Sequence, residues 1–257
     1  VALRPQPPVS HDDRLSLVDH LSELRSRLVV SLLAFGAALA LCFWQNHLIL
    51  EIVNKPLPGH KQPITFGVTE AFTTTFTNAA YAAILISLPV ILYQIYAFVL
   101  PAFSPDERRV ALPLMLMVPF LFIAGVVFCY FVVLPGAIHF LLHFNADEFK
   151  TEIRARDYYS FATLTMLAMG LGFQVPIAIL ALVRLRITSV EKLRRNRRYA
   201  VLVIAILAAL LPTIDPVTML LEMVPLLVLY ELSIVLCRIF VPPETDITDP
   251  VAPAEGS

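Results

Sequence analysis

The chain has 257 residues, 58% of them hydrophobic and 15% charged, with a net charge of −1 and a mean hydropathy of +0.77. Soluble domains run at about half apolar and a quarter charged, so this composition excludes both a water-soluble globule and a disordered chain. Long apolar runs exclude a transmembrane β-barrel, whose strands alternate over ~10 residues, and the chain reads as an all-α polytopic membrane protein.

The first 27 residues are charged and polar and carry no cleavable signal pattern. Within this N-terminal segment, 1–27, Leu17, Leu21, Leu24 and Leu28 recur at helical spacing and predict an amphipathic helix on the membrane surface that runs into the first span. Glu23 falls off that stripe, with Arg27 four residues on as its natural partner.

Stretches free of Asp, Glu, Lys and Arg and long enough for ~30 Å of hydrocarbon mark the transmembrane domain, 28–237. The spans read as 28–44, 71–103, 110–135, 158–183, 199–214 and 216–237. The fifth is short of a full crossing, and Asp215-Pro216 reads as a tight turn into the sixth, making a short hairpin of the last pair. Residues 45–70 and 147–157 are loops on one side, and 238–257 is a Pro-rich, acidic tail that reads as disordered. Lys55, Lys61, Lys150, Arg154 and Arg156 are the only basic residues on the loop side; the other 14 of the 19 Lys and Arg lie on the side of the termini. The positive-inside rule then predicts both termini in the cytoplasm.

Few residues carry chemistry. Ser104-Pro-Asp-Glu-Arg-Arg109 can open a helix, with Pro105 at its first position and Asp106 and Glu107 in its first turn. Glu107 with Glu23 would also form an acidic patch on a basic face, suited to a guanidinium ligand. Gln174 stands in mid-span and needs partners; Pro176 frees a carbonyl near Gly172 that could serve. Glu222 and Glu231 lie within the last span and must be protonated, paired or wet. His139 and His143 are four apart but lack a third ligand, and Cys42, Cys129 and Cys237 are too scattered for a disulfide framework, so no metal or other cofactor is expected. Thr188-Ser-Val-Glu191 reads as a capping box that opens a basic collar. HExxH, Walker A, GxSxG and GxGxxG are all absent, as is a constellation for intramembrane proteolysis, so the chain is not expected to be an enzyme.

The segments HLSELRSRL (20–28), PVILYQIYAFVLPAFSPDERR (89–109), YFVVLPGA (130–137), GLGFQVPIAIL (170–180), ITSVEKLRRNRRYAVL (187–202), LPTIDPV (211–217) and LYELSI (229–234) occur in an order and spacing that resembles the TatC family. That family is the multispanning core of the twin-arginine protein translocase. The resemblance implies six helices in a concave, cupped bundle with the last two short, in the prokaryotic cytoplasmic membrane. It implies recognition of twin-arginine signal peptides by Glu23 and Glu107, with Arg25 shaping the site and His20, Leu21 and Leu24 fixing the surface helix. It further implies single-span partner subunits of the TatA/TatB type, self-association, export driven by the proton-motive force, and no nucleic acid. Asp215 and Glu231 match the family pattern. Gln174 stands where many members have glutamate, and Glu222 where an apolar residue is expected, so Glu222 is a candidate to supply the concave face with the missing acid. A proton-coupled small-molecule transporter using Gln174, Glu222 and Glu231 as a relay is the alternative from another class.

Overall fold

The computed structural model describes residues 11–58, 63–100, 105–148, 151–184, 187–209 and 215–240, and the side chains of these outside 11–19, 105–114 and 240. The described residues are helical apart from short connections, with a single isolated β-bridge.

Helix α1 (His11–Trp44) is continuous over 34 residues, so the surface helix and the first span are one rod. The reason is local: this stretch has no proline, and its one glycine, Gly36, lies well inside the apolar part. Counting ~20 residues of hydrocarbon back from the exposed Trp44 reaches Arg25, which leaves Glu23 at the membrane interface.

The loop read as 45–70 is more ordered than the sequence indicated. It contains α2 (Asn46–Asn54), whose final carbonyls are satisfied from the bundle. Tyr130 donates its hydroxyl to the Ile52 carbonyl at 2.8 Å, and Tyr158 donates to that of Val53 at 2.5 Å. Further on, the Ile64 N–H donates to Ile153 O and the Ala155 N–H to Ile64 O, both at 2.8 Å. These bonds lay the loop over the ends of the spans.

Helix α3 (Glu70–Val99) runs antiparallel to α1 and packs along it, with Ala38 and Cys42 against Ala79, Ala82 and Ala83. The third membrane crossing is α4 (Pro105–Phe128), a π-helical turn over Cys129–Val133, and α5 (Leu134–His143). It therefore continues past the expected end at 135. Pro135 has no N–H for the carbonyl four residues earlier, and the turn before it widens to i→i+5 bonding. The fourth crossing divides into α6 (Ala155–Gly172) and α7 (Val175–Arg184), with the break at Phe173–Gln174 just before Pro176.

Ser189, not Thr188, caps α8 (Val190–Arg195): its Oγ accepts from the Lys192 N–H at 3.2 Å, so the expected capping box is displaced by one residue. Helix α9 (Arg197–Ala209) covers 13 described residues, ~20 Å by the helix rise. Helix α10 (Pro216–Phe240) is not short; its 25 residues are ample for a span. Five helical rods among the described residues are long and apolar enough to cross a membrane: His20–Trp44, Glu70–Val99, Met115–His143, Ala155–Arg184 and Pro216–Ile239.

The bundle is held where backbones meet. A Cβ built on Gly125 would lie 2.8 Å from the Met169 carbonyl oxygen, and one on Gly170 would lie 2.6 Å from the Phe122 ring, so α4 and α6 touch through glycine. On the other side, Ile179, Leu180 and Val183 of α7 pack with Leu226, Tyr230 and Ile234 of α10.

Candidate functional site

Glu23 sits near the end of α1 opposite Trp44, and α3 presents its last two turns to it. The Glu23 carboxylate accepts from Arg27 through one oxygen, Oε1, at 3.0 Å from Nε and 2.5 Å from Nη2. Arg27 also donates through Nη1 to Gln94 Oε1 of α3 at 3.1 Å. One turn earlier, the His20 ring stacks on Phe98 with centroids 4.3 Å apart. Two contacts, seven residues apart on α1, therefore fix this end of the helix to α3. They hold Glu23 with its side chain 36% exposed and Oε2 unpartnered among the described residues. An ionised carboxylate of this kind can take a further guanidinium on its free oxygen.

Gln94 and Phe98 are the residues that sequence reasoning missed. The visible signal was a lone amide in the apolar run Pro89–Leu100, where an unpartnered glutamine would be expensive.

The other expected residues of this site divide. His20 packs its ring on Phe98 of α3. Leu21 and Leu24 are exposed at 63% and 44%. Arg25 is exposed, with no ion pair among the described residues. Glu107 lies near the described start of α4, and its side chain falls outside the described residues.

The polar residues of the spans do not converge. Gln174 is buried and donates through Nε2 to the Val118 carbonyl on α4 at 3.2 Å; Gly172, the expected partner, is not used. The bond crosses between helices, so Gln174 ties the break in the fourth crossing to the third. Asp215 caps α10, its Oδ1 accepting from the Thr218 N–H at 2.7 Å. Glu231 is half exposed and pairs with Arg197 of α9 at 2.8 Å, beside the basic collar. Glu222 is fully buried, and neither carboxyl oxygen has a hydrogen-bond partner. It opens onto no face, so it does not supply an acid to an open concave surface. No hydrogen bond or ion pair links Gln174, Glu222 and Glu231 among the described residues, and the relay required by a proton-coupled transporter is not assembled.

His139 and His143 use their spacing on each other: the rings stack at 4.2 Å, and His143 Nδ1 lies 2.7 Å from the His139 carbonyl oxygen.

At the other end of the bundle, Glu70 at the start of α3 accepts from the backbone N–H groups of Phe66 and Gly67 at 2.8 and 3.2 Å. Its second oxygen accepts from Arg154 at 2.6 Å, and the Arg154 guanidinium lies over the Phe66 ring. This clamp fastens the loop to the start of α6.

The family model for Sec-independent protein translocase protein (TatC) matches residues 19–225. The Sec-independent protein translocase protein TatC of Carboxydothermus hydrogenoformans is 37% identical over 235 residues, covering 91% of this chain and 97% of that protein. The Escherichia coli protein of the same description is 33% identical, covering 91% and 92%. A crystal structure of a twin arginine translocase receptor, TatC, superposes with a TM-score of 0.76 at 32% identity over 86% of this chain and 98% of that one. Sequence match over most of the length, helix order and three-dimensional path agree: this chain belongs to the TatC family of Sec-independent protein translocase proteins.

Proposed function

We propose that this chain is the signal-peptide receptor and core subunit of a twin-arginine translocase, with Glu23 and Glu107 holding the two arginines of the cargo's leader. The observation that carries this reading is the state of Glu23. It is an interfacial carboxylate, braced through Arg27 on Gln94 and through the His20–Phe98 stack, with one oxygen open. Bracing matters because an arginine fork discriminates only against a carboxylate of fixed position. Each arginine–carboxylate pair contributes about 1.5–3 kcal/mol, about 10- to 150-fold in affinity.

In this reading both termini and Glu23 face the cytoplasm, and the loop clamped by Glu70 and Arg154 faces outward, as the basic residues dictate. The leader's apolar segment then lies beside the bundle. Single-span partners of the TatA/TatB type and further copies of the chain assemble on its lipid-facing helices. Movement is driven by the proton-motive force, and no covalent step is involved.

The test is site-specific crosslinking from position 23 or 107 to a twin-arginine peptide and to its twin-lysine counterpart. Strong crosslinking to the arginine form alone is expected. Equal yield from both peptides would remove the basis for arginine recognition.

A further inference from the structure

At the end of the bundle opposite Glu23, α3 and α6 line a cavity of about 270 Å³. Thr74, Thr77, Asn78 and Tyr81 line it from α3, and Arg156 and Ser160 from α6. Two of these are anomalies. Thr74 and Asn78 are 7% and 4% exposed, yet Thr74 Oγ1 and Asn78 Oδ1 have no hydrogen-bond partner. Buried polar atoms in a membrane protein are satisfied by something, because hydrocarbon offers them nothing. Arg156, at the rim, makes no ion pair among the described residues; its neighbour Asp157 projects from the helix about 100° further round.

The position of the cavity limits what fills it. Thr74 to Tyr81 occupy the second and third turns of α3, roughly 6–17 Å from the helix start. Arg156 is the second residue of α6. The cleft therefore starts at head-group depth and reaches into the upper acyl region of one leaflet. The groups present there at high concentration are phosphodiesters with a hydroxyl- or ammonium-bearing head.

The chemistry agrees. One unpaired guanidinium with hydroxyl donors at its side suits a phosphate anion. Asn78 Oδ1 is an acceptor, which a phosphate cannot satisfy; an ammonium or hydroxyl on the same ligand can.

We propose that this cleft is a phospholipid head-group site in the leaflet opposite the Glu23 end, with phosphate on Arg156 at the rim and the hydroxyl- or ammonium-bearing head folded back into the polar cleft against Thr74 and Asn78. The lipid wedges between α3 and α6 beside the Glu70–Arg154 clamp. It is independent of signal-peptide recognition, since Gln94, at the Glu23 site, lies about 24 Å along α3 from Asn78.

The test is native mass spectrometry of the purified full chain, delipidated and then titrated with phosphatylglycerol or phosphatidylethanolamine. The variants are Arg156→Gln, Arg156→Lys and Thr74→Val/Asn78→Leu, each checked for an unchanged melting temperature in detergent. The wild type is expected to retain one lipid, Arg156→Gln to retain about ten-fold less, and Arg156→Lys to recover most of it. The double variant tests the buried wall without touching the rim charge and is expected to lose retention as well. Retention unchanged in both Arg156→Gln and the double variant would overturn the site. So would displacement of the lipid by millimolar inorganic phosphate, which would make the site one for a free anion.

Discussion

Arg27 occupies one oxygen of Glu23 and leaves the other without a partner among the described residues, while its remaining nitrogen reaches Gln94 on the neighbouring helix. The same arginine thus balances the charge of the acid and fixes its position, so the two roles can be separated by substitution.

Glu23→Gln keeps the shape and removes the charge. It is expected to weaken twin-arginine peptide binding about 10- to 150-fold, with little change in melting temperature, because the pair is partly exposed. Arg27→Gln is expected to retain binding better than Glu23→Gln while loosening α1 from α3. Binding measured by fluorescence anisotropy in detergent decides this; equal losses in the two variants would show that the ion pair, and not the free oxygen, matters.

The glycine contact between α4 and α6 makes a contrast with Gly36. Gly170→Ala places a methyl against Phe122, and Gly125→Ala places one against the Met169 carbonyl. Each is expected to lower unfolding stability by about 1–3 kcal/mol. Gly36→Ala meets nothing within 4 Å and is expected to be neutral or stabilising by up to about 1 kcal/mol. Denaturant titration followed by circular dichroism reads all three.

Glu222 is a buried carboxyl with no partner, next to Thr218, one turn earlier, whose hydroxyl is also buried and unpartnered. Glu222→Met fills the same space with an apolar chain and is expected to stabilise the fold by about 1–3 kcal/mol. Export by this variant is expected to persist while Glu23→Ala abolishes it. A destabilised Glu222→Met would reveal that the carboxyl is satisfied in the membrane by a group from outside the chain.

Asp215→Ala removes the cap on Thr218 N–H and is expected to cost about 1 kcal/mol, with Asp215→Asn recovering most of it. Thermal unfolding in detergent, compared across the three forms, measures the cap directly.

Much of the architecture was legible because the bilayer imposes it. Uncharged runs mark the long apolar helices, and Asp215-Pro216 opens α10 by local chemistry alone. The i,i+4 pairing of Glu23 with Arg27 is local too, and was visible as spacing. What depended on neighbours was not visible. Gln174 had a donor to satisfy, but only the approach of α4 decided that Val118 and not Gly172 accepts it. Glu222 and Glu231 look alike in one apolar helix; their opposite faces put one in the core and the other beside Arg197. The leucine period marks a surface helix, but the stacking of His20 on Phe98, some eighty residues away in sequence, could not be read from it. Hydropathy and helix-end chemistry are properties of a segment and its solvent, so the sequence alone determined them. The partner of a polar side chain depends on which helix lies across from it, and that was decided only when the spans packed.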